Sequence, residues 1–246
     1  MLGVTPVEIE HATLRTWPAA VIEEHCGWFY LADSGVTGRV NAVWPLAWDG
    51  GSLEAAIAQA EAWYLERGLA PCFKLTEGAF APAELPAALA QRGYRAMTST
   101  LVMALSLTTR TAVQDDVTLS DTMPPAFEQM LRESAGNEAE FAERRGIALR
   151  APQPKMFALA RRDGRVAAIG MSTIAGDLVG IVLMRTHAAA RRQGHARRIL
   201  TALLAHAADN GARGAFLQVE ADNAPAIALY ERFGFTTLST YHYWRR

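Results

Sequence analysis

Four arginines, Arg191, Arg192, Arg197 and Arg198, surround one glycine, Gly194, in the stretch ARRQGHARRIL (190–200). A helical apolar pattern starts there at about His195. Positive charge at a helix start opposes the helix dipole, which favours anions. The first amide N–H groups of a helix have no partner within it, and a preceding glycine lets an anion approach the backbone closely. A strand (IVLMRT), a loop (HAAARRQG) and this helix start therefore suit a multiply charged guest such as a pyrophosphate. On spacing alone, the same residues would also make an ordinary turn with a solvated basic patch.

A second polar set lies downstream in LQVEADNAPAIALYERFGF (217–235). Asn223 is placed to cap a short helix, with Pro225 in its first turn and Gly234 as its stop. Tyr230 falls at the apolar spacing of that helix, by itself a core position. Gln218 and Glu220 stand two apart in a strand and share a face. His242, in TYHYW, suits either a pocket or an ordinary strand position. His187 and His195 flank the arginine-rich loop without HExxH or a cysteine partner, so no metal site is expected. Cys26 and Cys72 form no CxxC and read as inert thiols in a reducing cytoplasm. GxSxG, Walker A and GxGxxG motifs are all missing from the sequence, which removes the usual signals of hydrolases, P-loop NTPases and Rossmann dehydrogenases.

The elements that must hold these residues follow from patterning. KMFALARRDGRVAAIGMSTIAGDLVGIVLMRT (155–186) predicts three antiparallel strands, with Asp163-Gly164 supplying the positive φ angles of a tight turn. A helix from about His195 has Ala196, Ile199, Leu200, Leu203 and Ala207 on one face and ends at Asn210-Gly211. A strand (GAFLQVE), the short helix after Asn223 and a last strand (TTLSTYHYWRR) complete a mixed α/β order. The first half repeats the rhythm. GWFYLADSGVTGRVNAVWPLAW predicts a β-hairpin, Ser52 caps a helix that ends at Gly68, and PCFKLTEG, AELPAALAQRGY and AMTSTLVMALSL follow as strand, short helix and strand. The self-similarity predicts two tandem domains, 1–112 and 113–246, joined near SLTTRTAVQDD. Each would be a mostly antiparallel twisted sheet flanked by helices.

The chain has 246 residues, half of them hydrophobic, and a formal net charge of −1. That composition supports a large core and gives no reason to expect nucleic acid or anionic membranes as partners. The apolar run from Ala167 to Met184 is broken by Gly176-Asp177 and is rich in β-branched residues, so it reads as two buried strands and not a membrane span. The first residues, MLGVTPVEIEH, lack the basic and apolar regions of a secretory leader. A soluble, cytoplasmic protein is expected, a monomer or homodimer.

Both polar sets, in order and with the helix and strand between them, resemble the GNAT superfamily of acyl-CoA-dependent N-acyltransferases. Arg191-Arg192-Gln193-Gly194-His195-Ala196 is similar to its Gln/Arg-x-x-Gly-x-Gly/Ala pyrophosphate loop, and Asn223, Tyr230 and Gly234-Phe235 are in register with its second signature. The similarity is greatest to the ribosomal-protein alanine N-acetyltransferases. It covers Lys155 to about Tyr243 well and the first half only in outline. It implies that Met184, Arg185 and Thr186 bond the pantetheine arm of acetyl-CoA through their backbones. It also implies that the loop through Arg197 holds the pyrophosphate, that Asn223 reaches the cofactor near its thiol, and that Tyr230 is the general acid. Close relatives have a glutamate base where this chain has Gln218, which cannot accept a proton; Glu220, on the same face, is the substitute.

The equivalent loop of the first half, LAWDGGSLEA, has no arginine, and Asp49 would repel a pyrophosphate; Leu89 stands where Tyr230 does in the second half. The first half is therefore expected to be a degenerate copy without coenzyme A, a scaffold and one wall of the acceptor site. The expected activity is direct transfer of acetyl from acetyl-CoA to a primary amine: a small molecule, an amino acid or a protein N-terminus. The alternative is a non-catalytic acyl-CoA-binding or regulatory module of the same fold.

Overall fold

The computed structural model describes residues 3–107 and 116–246, so the expected boundary at 112/113 lies outside the described residues. The chain opens with a helix the patterning did not single out, α1 (Pro6–Thr16). Thr5 and Glu8 form a reciprocal capping box at its start, satisfying two otherwise unpaired donors. Next come β1 (Val21–His25), β2 (Trp28–Ala32), a single 3-10 turn (Gly38–Val40), β3 (Val43–Trp44), α2 (Leu53–Glu66), β4 (Phe73–Thr76), α3 (Leu85–Gln91) and β5 (Arg95–Ser106). The second half contributes β6 (Val117–Ser120), α4 (Pro125–Glu133), α5 (Glu138–Arg150), β7 (Lys155–Arg162), β8 (Arg165–Ala175) and β9 (Leu178–Thr186). It ends with α6 (His195–Asp209), β10 (Gly214–Glu220), α7 (Ala224–Arg232) and β11 (Thr236–Arg245).

The second half forms as its patterning predicts. Asp163 and Gly164 both have positive φ in the β7–β8 turn, and the apolar run 167–184 is β8 and β9 joined at Gly176-Asp177. In the first half the expected hairpin is looser: β2 and β3 pair only at Phe29↔Trp44 and Tyr30↔Val43, across a long loop, while the tight hairpin partner of β2 is β1. No helix among the described residues is long and apolar enough to cross a membrane.

The eleven strands among the described residues form one mostly antiparallel sheet, in the order β1-β2-β3-β4-β11-β5-β10-β9-β8-β7-β6. The closing strand of each half thus lies among strands of the other. β5 pairs with β10 from Ser106↔Gly214 to Thr100↔Glu220 on one side, and with β11 on the other. Among the described residues the only parallel pairs, β3 with β4 and β9 with β10, are each joined by a crossover helix. Alternation along β8 sends Ala168 into a core under α6 and α7, with Leu200, Leu203, Val219 and Tyr230. It sends Ile169 to the opposite face, with Leu14 and Trp17 at the end of α1 and with Phe127, Leu131 and Ile147 from α4 and α5. The first helix of the chain therefore covers strands of the second half.

Candidate functional site

The parallel neighbours β9 and β10 pair only from Leu178↔Gly214 to Ile181↔Leu217. Beyond that they part, and a cleft of about 690 Å3 opens between them, walled by Ile181–Arg185 on one side and Leu217–Glu220 on the other. A bulge widens it: the register against β8 shifts between Met171↔Val182 and Ile169↔Arg185, with Leu183 at φ 54°. The backbone of Val182–Arg185 facing β10 is thus left without a strand partner, which is the hydrogen-bonding template an extended, amide-bearing chain needs.

The loop 191–196 precedes α6 through two left-handed residues, Arg192 (φ 62°) and Gly194 (φ 82°). Gly194 is the N-cap and offers no side chain, so the first amides of α6 have no cap; a Cβ on Gly194 would meet only open space. Gln193 is tied to the loop by donating to the Ala189 carbonyl (3.2 Å) and accepting from Arg162 (2.5 Å). Arg198 is committed to Asp116 (2.9 Å) and donates to Nδ1 of the buried His195 (2.5 Å). Burial and Arg198 hold the His195 imidazole below its ordinary value, so it stays neutral. Arg191, Arg192 and Arg197 make no ion pair among the described residues, and Ala196 lies in the first turn beside them. In the first half, by contrast, Ser52 caps α2 by accepting from the Ala55 amide (3.3 Å).

Met184 and Arg185 line the cleft, while Thr186 closes β9 just outside it. Asn223 caps α7, accepting from the Ala226 amide (3.3 Å), and lines the cleft too. Tyr230 projects from α7 into the wall; burial pushes its hydroxyl up to about 12 against the opposing pull of Arg185, so it keeps its proton at neutral pH. Gln218 donates to the Thr13 hydroxyl of α1 (3.2 Å), and its Oε1 is buried without a partner. Glu220 is an exposed carboxylate at the cleft edge, with no arginine within ion-pair distance among the described residues. His242 is outside the wall; its neighbours Tyr241 and Tyr243 are in it.

Glu140 and Arg144 of α5 add to the wall, and the first half supplies much of the rest through residues that local patterning does not mark. Trp17 follows α1, Thr98 and Thr100 come from β5, and Val36, Thr37, Gly38 and Arg39 come from the loop between β2 and β3. That loop is fastened by a buried carboxylate of the second half, Glu143 on α5. Its Oε1 accepts from the Ser34 amide (3.0 Å), the Val36 amide (3.2 Å) and Asn41 Nδ2 (2.8 Å), and its Oε2 accepts from the Thr37 amide (2.5 Å). Arg150 adds an ion pair to Asp33. Beneath the loop, Lys74 is buried between the rings of Trp44 (3.8 Å) and Tyr241 (4.3 Å) and paired with Glu10. Burial alone would push the Tyr241 hydroxyl up; Arg39 and Lys74 beside it overcome that and hold it below its ordinary value.

Comparison with known proteins agrees with this geometry. The family described as "Probable histone acetyltransferase Rv0428c C-terminal" matches residues 7–244. The chain is 27% identical over 246 residues to the uncharacterized N-acetyltransferase YobR of Bacillus subtilis (strain 168), covering 96% of each chain. In fold it is similar to a GCN5-related N-acetyltransferase from Kribbella flavida, with a TM-score of 0.72 at 17% identity over 100% of this chain and 96% of that one. A tandem GNAT protein from the clavulanic acid biosynthesis pathway has the same fold, with a TM-score of 0.59 at 16% identity over 78% and 68% of the two chains. A match from residue 7 to residue 244 spans both sides of the cleft, and the chain belongs to this family of GNAT-type N-acetyltransferases.

Proposed function

We propose that the chain transfers an acetyl group from acetyl-CoA to a primary amine by direct transfer within a ternary complex, with residues 113–246 making the cofactor contacts and residues 1–112 completing the acceptor side. One observation carries this reading: the splayed, bulged strands β9 and β10 open a cleft that ends on a proton-bearing tyrosine, Tyr230. The donor set fits the cofactor. Uncapped amides and three arginines without an ion pair among the described residues suit its pyrophosphate, and the backbone of Val182–Arg185, without a strand partner toward β10, suits its amide-bearing arm. Ser52 already satisfies the equivalent amides in the first half, which argues for one cofactor per chain.

When bound, acetyl-CoA supplies the acetyl thioester. The reaction takes one proton from the amine and returns one to the departing thiol, so the chain must provide an acceptor and a donor. Tyr230, buried and protonated at the wall, is the donor, and Asn223, at the start of the same helix and in the same wall, reaches the cofactor near its thiol. Glu220 takes the proton from the amine, directly or through water; it lies one residue pair beyond Gln218 on the same strand face.

Acetyl-CoA turnover over a panel of amines, followed by thiol release, tests the activity, and calorimetry should return one coenzyme A per chain. Glu220→Gln should flatten the alkaline rise of kcat/KM, and an unchanged pH profile would remove Glu220 from this role. The second reading, a non-catalytic acyl-CoA binder, is favoured by Gln218, whose amide is engaged with Thr13 and cannot accept a proton. Tight coenzyme A binding without turnover on amines, amino acids or peptides would establish it.

A further inference from the structure

Arg39 is a cleft residue whose immediate polar neighbours are tyrosine hydroxyls, Tyr241 foremost, with Glu10 acting on its charge from farther off. Its Nε is buried with no hydrogen-bond partner, and no carboxylate lies within ion-pair distance of it among the described residues. The two buried carboxylates nearby are already spent: Glu10 on Lys74, and Glu143 on the loop's own amides. A guanidinium held rigidly in a cleft wall, with a buried N–H unsatisfied and no carboxylate ion pair of its own, points to an anion that arrives from outside. The holding is rigid. Glu143 fixes the loop, and at Gly38 a Cβ would come within 2.8 Å of the Tyr243 ring, so the turn is pressed flat against that side chain.

Of the charges around Arg39, Lys74 below is paired with Glu10, Arg185 on the opposite wall has no ion pair among the described residues, and Glu220 is an exposed carboxylate at the cleft edge. Arg144 is neutralised by Glu140 (2.6 Å). The positive potential that draws the Tyr241 proton down also draws an anion. Tyr230 packs with the α7 side of the sheet, whereas Tyr241, beside Arg39, packs with the α1 side, so the proton donor and Arg39 reach the cleft from opposite faces of the sheet.

Resting on the acyltransferase reading above, we propose that the acceptor carries an anionic group, a carboxylate or a phosphate, in addition to its amine, and that Arg39 holds that group. A guanidinium presents a planar fork of donors that matches either group. Polyamines and other purely cationic acceptors would bring no anion to Arg39 or Arg185.

The test uses the full chain, acetyl-CoA and matched acceptors: amino acids against their carboxamides, phosphoethanolamine against ethanolamine, and putrescine as the purely cationic arm. The anion-bearing member of one pair should have a kcat/KM about ten- to a hundredfold higher, the range of a charge-assisted hydrogen-bonded contact; which pair responds separates carboxylate from phosphate. Arg39→Gln should bring that ratio near one with the KM for acetyl-CoA unchanged, and Arg39→Lys, a charge without the fork, should keep part of it. Ratios near one in the wild type, a preference for putrescine, or a ratio that survives Arg39→Gln would overturn the proposal. Thermal shift adds a readout independent of chemistry: the amino acid or phosphate ester, and not its neutral partner, should stabilise the wild type and not Arg39→Gln. Acetyl-CoA binding without thiol release would defeat the acyltransferase reading alone. The thermal shift would still decide whether Arg39 binds an anion.

Discussion

Glu143 is the single side chain on which the acceptor wall most depends, and Glu143→Gln isolates its contribution. The carboxylate is 3% exposed and accepts from Ser34, Val36, Thr37 and Asn41. A glutamine oxygen in the Oε1 position keeps the donors gathered there, but its NH2 then faces the Thr37 amide, donor against donor. Leaving that N–H unpaired costs about 1–3 kcal/mol, and the remaining bonds weaken as the acceptor loses its charge. The expected loss is about 3 kcal/mol, which for a chain of this size lowers Tm by roughly 6–12 °C. The pH dependence carries a sign. Burial raises the Glu143 pKa, but its hydrogen bonds outweigh burial and hold it below the ordinary 4.5. A carboxylate with a depressed folded pKa contributes stability that is present above the unfolded value and lost as pH falls through the folded one. Urea unfolding at neutral pH should therefore separate wild type from variant, and the gap should narrow as pH falls below about 4.5 toward the folded pKa. Hydrogen exchange at the Ser34, Val36 and Thr37 amides should speed up in the variant. Equal urea midpoints, or a gap independent of pH, would refute the clamp.

Further outcomes follow from the same geometry. Tyr230→Phe should lower kcat by about 10²–10⁴ with little change in coenzyme A affinity, measured by thiol release and calorimetry; unaltered turnover would remove it as the acid. Gly194→Ala places a side chain at φ 82° in open space, so it should cost about 1 kcal/mol through backbone strain alone and weaken coenzyme A binding at the loop. Replacing Arg191, Arg192 and Arg197 together by Gln should raise the coenzyme A Kd and reduce its dependence on salt, which titration at several ionic strengths would show. Glu10→Gln leaves the Lys74 ammonium buried and unpaired, a loss of about 3–5 kcal/mol visible in the urea midpoint.

The sequence made the second half legible because its signals are local. Asp163-Gly164, Asn223 with Pro225, and the apolar face of Ile199, Leu200 and Leu203 each specify a turn, a cap or a helix face within a few residues. Gly194 and the arginines mark the loop for the same reason. What escaped is non-local. Residues 34–41 fall within the stretch that patterning predicts as a hairpin, and the carboxylate that orders them lies more than a hundred positions later on α5. Arg39 is one arginine among many until the fold sets it in the cleft wall with a buried N–H unsatisfied. Strand periodicity puts Tyr241 and Tyr243 on one face and His242 on the other, but not which face meets the cleft, and a bulge between His242 and Tyr243 interrupts the period. Nor does periodicity name a strand's neighbour, so the exchange of β5 and β11 is invisible in patterning that fits each half by itself.

That exchange bears directly on the cleft. Parting β9 from β10 strips one side of the β10 ladder from Gln218 onward, and a strand with both edges open would not hold its register. β5 prevents this: Gln218↔Val102, Val219↔Leu101 and Glu220↔Thr100 stay paired while the opposite edge of β10 faces the opening. The cost of the splay is thereby confined to one row of backbone groups, those a bound chain can satisfy. The same strand then passes the sheet on to β11, which brings Tyr241 into line with Thr100 and Glu220 across three neighbouring strands. A strand from the first half thus both permits the opening and sets the spacing of Tyr241 and Glu220 in its wall. That gives the half without the arginine-rich loop a structural part in the site, whatever its own binding capacity.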